Sequence, residues 1–127
     1  MKLIFISLLL MSILSGCSKK SGTEKDTILP VITISNPAAG GTFTAGELIQ
    51  INGTITDDKF IAEVHIHVTN TNTGVKLLDV HLYPAGNTTV FSNQSLTAVA
   101  GVNYKIQVIA TDRSVNQSVS SVEVPCN

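Results

Sequence analysis

Between Leu48 and Thr56 the side chains alternate: Ile49, Ile51, Gly53 and Ile55 fall on one side, Gln50, Asn52 and Thr54 on the other. A period of two is what a strand needs when one face lies on a core and the other meets water. The same beat returns in Ile61 to Thr69, with Ala62, Val64, Ile66 and Val68 inward, and in Val75 to Tyr83, with Leu78, Val80 and Leu82 inward. Val31 to Ile34 after Pro30, Thr88 to Leu96, Asn103 to Asp112 (Tyr104, Ile106, Val108 and Ala110 inward) and Ser118 to Val124 bring the count to seven, each bounded by Gly, Asn, Asp or Pro. Composition agrees, since residues 29–127 hold 13 Val, 9 Ile and 12 Thr, side chains that lose least in extended backbone. Seven short strands in about a hundred residues predict an all-β fold, a seven-stranded antiparallel sandwich, and exclude an all-helical one. The turn-forming Asn70-Thr71-Asn72-Thr73-Gly74 makes the third and fourth strands a hairpin.

Charge narrows the function. Residues 29–127 carry four basic side chains (Lys59, Lys76, Lys105, Arg113) against seven acidic ones, a balance that repels a phosphate backbone and argues against nucleic-acid partners. There is no Gly-rich phosphate loop, heptad, internal repeat or amphipathic helix, so the phosphate-binding α/β folds are excluded as well. The chain has no Trp and only one cysteine within residues 29–127, which leaves no disulfide-pinned core.

The first residues carry an address. Met1 and Lys2 are a short positive start, and Leu3 to Leu14 is an apolar run too short to span a bilayer as a mature helix, so residues 1–16 read as a removable signal peptide. The run ends in Leu14-Ser15-Gly16-Cys17, which resembles the lipobox of bacterial lipoproteins. The resemblance implies cleavage before Cys17, acylation of its thiol and lasting attachment to a membrane, because two acyl chains already suffice for a stable anchor. Residues 17–28 would then be the lipidated cysteine and a flexible polar linker reaching about 36 Å when extended. Ser18 and Lys19 offer no acidic retention signal, which by the same resemblance favours the outer membrane over the inner, facing the periplasm or the surface.

A second resemblance covers most of residues 29–127. Ile32 to Asp58, Ile61 to Val68 and Gly101 to Asn116 look like the bacterial Ig-like and cadherin-like modules: a Pro-bounded first strand, Gly before the second, Asp-Asp after it, and a Tyr-x-Ile-x-Val-x-Ala-x-Asp strand ending in a turn. The resemblance implies an Ig-like sandwich in which Tyr104 forms a tyrosine corner, its hydroxyl bonded to backbone a few residues upstream, and Ile106 takes the place of an antibody domain's second cysteine. Val115 stands where such modules often have Gly before Asn116, and since a β-branched residue tolerates positive φ badly, a different turn is expected there.

Three groupings could carry chemistry. All three histidines fall on the outward face of the hairpin, with Glu63, His65 and His67 on one strand and Asp79 and His81 on its neighbour. A register with His65 opposite Asp79 and Glu63 opposite His81 puts paired Cβ atoms about 5 Å apart. His-x-His plus a third His can hold zinc or copper, with a carboxylate as ligand or orienter, and cross-strand charge pairing alone would also account for these residue types. The second grouping is acidic: Asp57 and Asp58 after the second strand with Asp112 and Asn116 after the sixth, at one end of the sandwich, where Asp26 could add oxygens for calcium. The third is Cys126, read as a small apolar residue at the end of the last strand or as a thiol that pairs with another chain.

These readings predict a lipid-anchored cell-envelope module that binds, adheres or plays a structural part, without enzymatic activity. Its partners would be the membrane, through Cys17, and a protein or glycan, with no obligatory cofactor. The alternative is a metal-binding lipoprotein using His65, His67 and His81 for zinc or copper, or Asp57, Asp58 and Asp112 for calcium.

Overall fold

The structure is a computed structural model that describes residue 22 and residues 24–127. The segment read as a signal peptide, the Leu14–Cys17 motif and the first part of the expected linker lie outside the described residues. Six strands follow one another: β1 (Val31–Asn36), β2 (Leu48–Asn70), β3 (Lys76–Leu82), β4 (Gly86–Thr97), β5 (Asn103–Asp112) and β6 (Gln117–Pro125). All the ladders between them are antiparallel.

β2 organises the molecule. Its 23 residues include both of the strands predicted over 48–56 and 61–69, joined without a loop. The first half pairs with β1 on one side and β4 on the other. The second half pairs with β3 and β5, and β5 carries β6. A bent strand shared in this way makes two layers, β1-β2-β4 and β3-β2-β5-β6, which face each other as an all-β sandwich. Six elements therefore stand for seven predicted strands, because Asp57–Phe60 stays extended through the corner. The bend itself is local: Asp57 Oδ2 accepts hydrogen bonds from the backbone N–H groups of Lys59 (3.0 Å) and Phe60 (2.8 Å).

The inward faces interlock as the alternation predicts. Ile49, Ile51 and Ile55 from the first half of β2, Val64, Ile66 and Val68 from the second, and Tyr104, Ile106, Val108 and Ala110 from β5 are all buried, with Phe91, Val122 and Val124 closing the core. Most of the driving force for folding comes from removing these side chains from water. Ala62 departs from its expected inward place. The register slips between Ile61 and Glu63, so Ile61 takes the buried position and Ala62 is only half-buried. A bulge of this kind moves the alternation by one residue across a bend.

Gly53 is required by packing. A Cβ at this position would overlap the Phe91 ring and the Thr33 carbonyl, so β1 and β4 close on β2 there only because the side chain is missing. Cys126 is buried at 3% exposure with a free thiol, and its neighbourhood includes a short parallel pairing with Phe43 that the sequence pattern did not reveal. The inward reading of this cysteine agrees with that position.

The two ends of the sandwich differ. The chain enters β2 at Leu48, turns the corner at Asp57–Phe60 and leaves at Asn70, so Leu48 and Asn70 share one end and the corner lies at the other. At the first end the connecting segments are tied together: Gly46 N–H donates to Ala98 O (2.8 Å), Thr71 N–H to Asn103 O (2.8 Å) and Asn103 N–H to Asn72 Oδ1 (2.8 Å). At the corner end, Arg113 lies over the Phe60 ring, 3.4 Å from its centroid, and fastens the β5-β6 turn to the bend in β2.

Candidate functional site: a histidine face and an acidic corner

The hairpin of β2 and β3 brings its polar residues onto one outward face. The turn closes with Gly74 at φ 77° and with Gly74 N–H and Asn70 N–H bonded to Asn70 O and Val75 O, and a bulge follows at Val68/Thr69. This geometry places the register two residues from the expected one: His65 faces His81 and His67 faces Asp79. Because the shift is even, every side chain keeps its face and the cluster stays together.

The imidazoles are in contact. His65 and His81 stack with ring centroids 3.9 Å apart, and His67 meets His65 edge-on at 5.8 Å. Ring nitrogens of His65, His67 and His81 lie within 4.8 Å of one another. Two carboxylates thread between them. Glu63 Oε1 is 2.6 Å from His65 Nε2 and 3.9 Å from His81 Nδ1, and Asp79 Oδ1 is 3.1 Å from His67 Nε2 and 3.2 Å from His81 Nε2. Lys76 Nζ holds the other oxygen, Asp79 Oδ2, at 2.9 Å.

These contacts set the charges. The hydrogen bond from Lys76 holds the Asp79 carboxyl below its ordinary value, and the hydrogen bond from His65 does the same for Glu63. Burial pushes the His67 imidazole down, and the Lys76 ammonium adds to that, which favours the neutral ring that can donate a lone pair. On the other side of β2, Gln107 is paired with His67 and Ile109 with His65.

The acidic corner is built differently. Oxygens of Asp26, Asp57 and Asp58 lie within 4.8 Å of one another. Asp26, in the segment read as linker, is only 6% exposed. Its Oδ1 accepts from Ile28 N–H at 3.0 Å and is 3.9 Å from Lys59 Nζ. Asp57 Oδ1 is buried without a hydrogen-bond partner among the described residues. The other two expected members, Asp112 and Asn116, satisfy each other: Asp112 Oδ1 accepts from Asn116 N–H (2.7 Å), and Oδ2 accepts from Asn116 Nδ2 (2.6 Å). Asn116 Nδ2 also donates to Asp26 O at 2.9 Å, which ties the segment before β1 to the turn after β5. Sequence reasoning missed this brace, although Asn116 and Asp112 at the ends of one turn were the available signal.

Val115 corrects an expectation. Its φ is 68°, so this β-branched residue adopts the left-handed conformation it was expected to avoid.

Comparison with known proteins agrees with the fold. Residues 30–89, just under half of the chain, match the family described as Bacterial Ig domain. Among solved structures, the fibronectin(III)-like modules of CbhA from Clostridium thermocellum share 22% identity at a TM-score of 0.53, over 79% of this chain and 47% of that one. The chain thus spans about half the length of that relative. The superoxide reductase (neelaredoxin) from Ignicoccus hospitalis has 13% identity and a TM-score of 0.51, over 79% of this chain and 81% of that one. At such identities the likeness is one of fold. No curated protein matches the sequence. An antiparallel two-layer sandwich built on one shared bent strand, with residues 30–89 similar to the bacterial Ig domains, gives the chain an Ig-like β-sandwich fold.

Proposed function

We propose that the chain is a lipid-anchored module of the bacterial cell envelope, attached through Cys17 to a membrane, by preference the outer one, and that it binds or adheres to a protein or glycan without catalysing a reaction. The observation that carries this reading is the placement of the segment before β1. Asn116 holds Asp26 O at the corner end, so the linker leaves the domain there. The opposite end, where the segments around Gly46, Thr71 and Ala98 are fastened to one another, then points away from the anchor. A sandwich standing on a short polar linker with a hydrogen-bonded distal tip suits display to a partner.

The residues that could serve catalysis support the non-enzymatic reading. Cys126 faces the core, while the histidines lie on the outward face of β2 and β3, so no imidazole is placed to activate the thiol.

The experiment is fractionation of cells expressing the full chain with labelled fatty acid. The wild-type chain is expected in the membrane fraction carrying label, and Cys17→Ser is expected unlabelled and outside it. Equal membrane recovery and labelling of both would overturn the anchor. Capture of an envelope protein or glycan that is lost on substituting Thr71 and Asn72 would support recognition by the distal tip. Turnover of any envelope substrate by the purified chain would overturn the non-catalytic reading.

A further inference from the structure

We infer that the outward face of the β2-β3 hairpin is a binding site for a divalent transition-metal ion of borderline softness, such as Zn²⁺, with His65, His67, His81 and Asp79 as its ligands and Glu63 as an orienting group. The inference goes beyond the anchored-module reading and does not depend on it.

Spacing carries the argument. A tetrahedral ion with bonds of about 2.0–2.1 Å needs its ligand atoms about 3.3 Å apart. Asp79 Oδ1 already stands 3.1 Å from His67 Nε2 and 3.2 Å from His81 Nε2, close to two edges of such a tetrahedron. Asp79 Oδ1 and His81 Nε2 are hydrogen-bonded in the metal-free arrangement, and the ion takes the place of that proton. A ring nitrogen of His65 lies within 4.8 Å of the other two histidines, and a side-chain rotation brings it in as the fourth ligand. Only side chains move, because all four ligands stand on paired positions of two hydrogen-bonded strands.

Chemistry selects the ion. Three imidazoles and one carboxylate oxygen suit Zn²⁺ and its neighbours, whereas Ca²⁺ and Mg²⁺ take oxygen ligands almost exclusively. The surroundings fit a ligand set that must be held in place. Lys76 binds Asp79 Oδ2 and leaves Oδ1 for the metal. Glu63 Oε1 sits 2.6 Å from His65 Nε2, the carboxylate-histidine contact that commonly aims a ligating ring. Ile109 flanks His65 on β5 and gives the site an apolar side.

Binding has a structural consequence. β3 pairs with β2 alone and is an edge strand of its layer. Two ligands, Asp79 and His81, belong to β3 and two, His65 and His67, to β2, so an ion at this face staples the edge strand down.

The test uses the full chain carrying Cys17→Ser, which takes that thiol out of competition for the metal. After chelator treatment, Zn²⁺ is expected to bind one per chain. At a hundred times its dissociation constant it is expected to raise the unfolding temperature by on the order of 10 °C. It is also expected to slow amide exchange across residues 76–82, which Ca²⁺ does not. His65→Gln and His81→Gln, both on the outward face, are expected to keep the metal-free unfolding temperature and to lose the zinc shift. Asp79→Asn is expected to weaken binding 10-fold or more. No zinc shift, a zinc shift that survives both histidine substitutions together, or a Ca²⁺ shift that those substitutions abolish would each overturn the site.

Discussion

The hydroxyl of Tyr104 accepts a hydrogen bond from the backbone N–H of Val99 at 2.8 Å, five residues upstream and across the turn that leads into β5. The Tyr104 ring is buried among the residues of both layers, at 1% exposure. One side chain therefore closes the core and holds a turn. Tyr104→Phe keeps the ring and removes only the acceptor, leaving the Val99 N–H without its partner. The expected cost is about 1 kcal/mol, read as a lower urea midpoint, with faster amide exchange at Val99. An unchanged midpoint and unchanged exchange would show that the bond contributes nothing.

Gly53 faces the opposite test. Alanine at this position adds one methyl group, and that group has to displace the Phe91 ring on β4 and the Thr33 carbonyl on β1 together. The ring can shift, but the carbonyl belongs to the backbone of a paired strand. Gly53→Ala is expected to destabilise by about 3 kcal/mol, at the upper end for overpacking. Adding Phe91→Leu to relieve the ring is expected to leave most of the loss in place. Near-wild-type unfolding of Gly53→Ala would contradict the close approach of the three strands.

At Val115 a substitution is expected to stabilise. The residue is 80% exposed, so its side chain gains little from burial, yet its φ of 68° places Cβ against the following carbonyl. That conformation costs a branched residue about 1–2 kcal/mol, and glycine avoids it while giving back some entropy in the unfolded chain. Val115→Gly is expected to gain about 1 kcal/mol, measured by urea unfolding, and Val115→Ile is expected to gain nothing. A loss on changing to Gly would mean that the turn relies on the Val side chain.

The contrast between these residues shows what the sequence makes legible. Alternation placed Ile49, Ile51, Ile55, Val64, Ile66, Val68, Ile106 and Val108 correctly in the core, because burial on one face of a strand leaves a local period of two. The tyrosine corner came instead from the resemblance to Ig-like modules, and the Tyr104–Val99 bond agrees with it. The continuity of β2 was not, since Asp57-Asp58 is a turn signal in isolation. Here Asp57 uses its carboxylate to bend a strand that stays extended. The histidine face was found as a cluster but with its register displaced, because hairpin register depends on the turn at Asn70–Val75 and its bulge. An even displacement changes partners and preserves faces, so the membership of the site survived where its pairings did not. The brace between Asn116 and Asp26 links residues 90 positions apart, and the Asp112–Asn116 turn marks only one of its two ends.

The acidic corner supplies the last prediction. Asp57 is both a hinge and a crowded charge: Oδ2 accepts the two N–H groups that shape the bend, while Oδ1 is buried with no hydrogen-bond partner among the described residues and the carboxylate lies beside those of Asp26 and Asp58. Asparagine is nearly the same shape. It keeps one oxygen for Lys59 N–H and Phe60 N–H, and it puts an NH₂ donor where the orphan oxygen was, next to two carboxylates that can accept. In chelator, Asp57→Asn is therefore expected to raise the urea midpoint, by about 1 kcal/mol in stability. Asp57→Ala, which also removes the acceptor for the bend, is expected to lower it. A calcium ion at this corner would make the opposite demand, because the buried oxygen would then be a ligand, and the wild-type chain would gain stability from added Ca²⁺ that the Asn variant could not share. Measuring both proteins in chelator and in calcium separates the two. A higher midpoint for Asp57→Asn under both conditions would identify the corner as a hinge held at the expense of charge repulsion, and a calcium-dependent reversal of their order would identify it as a cation site.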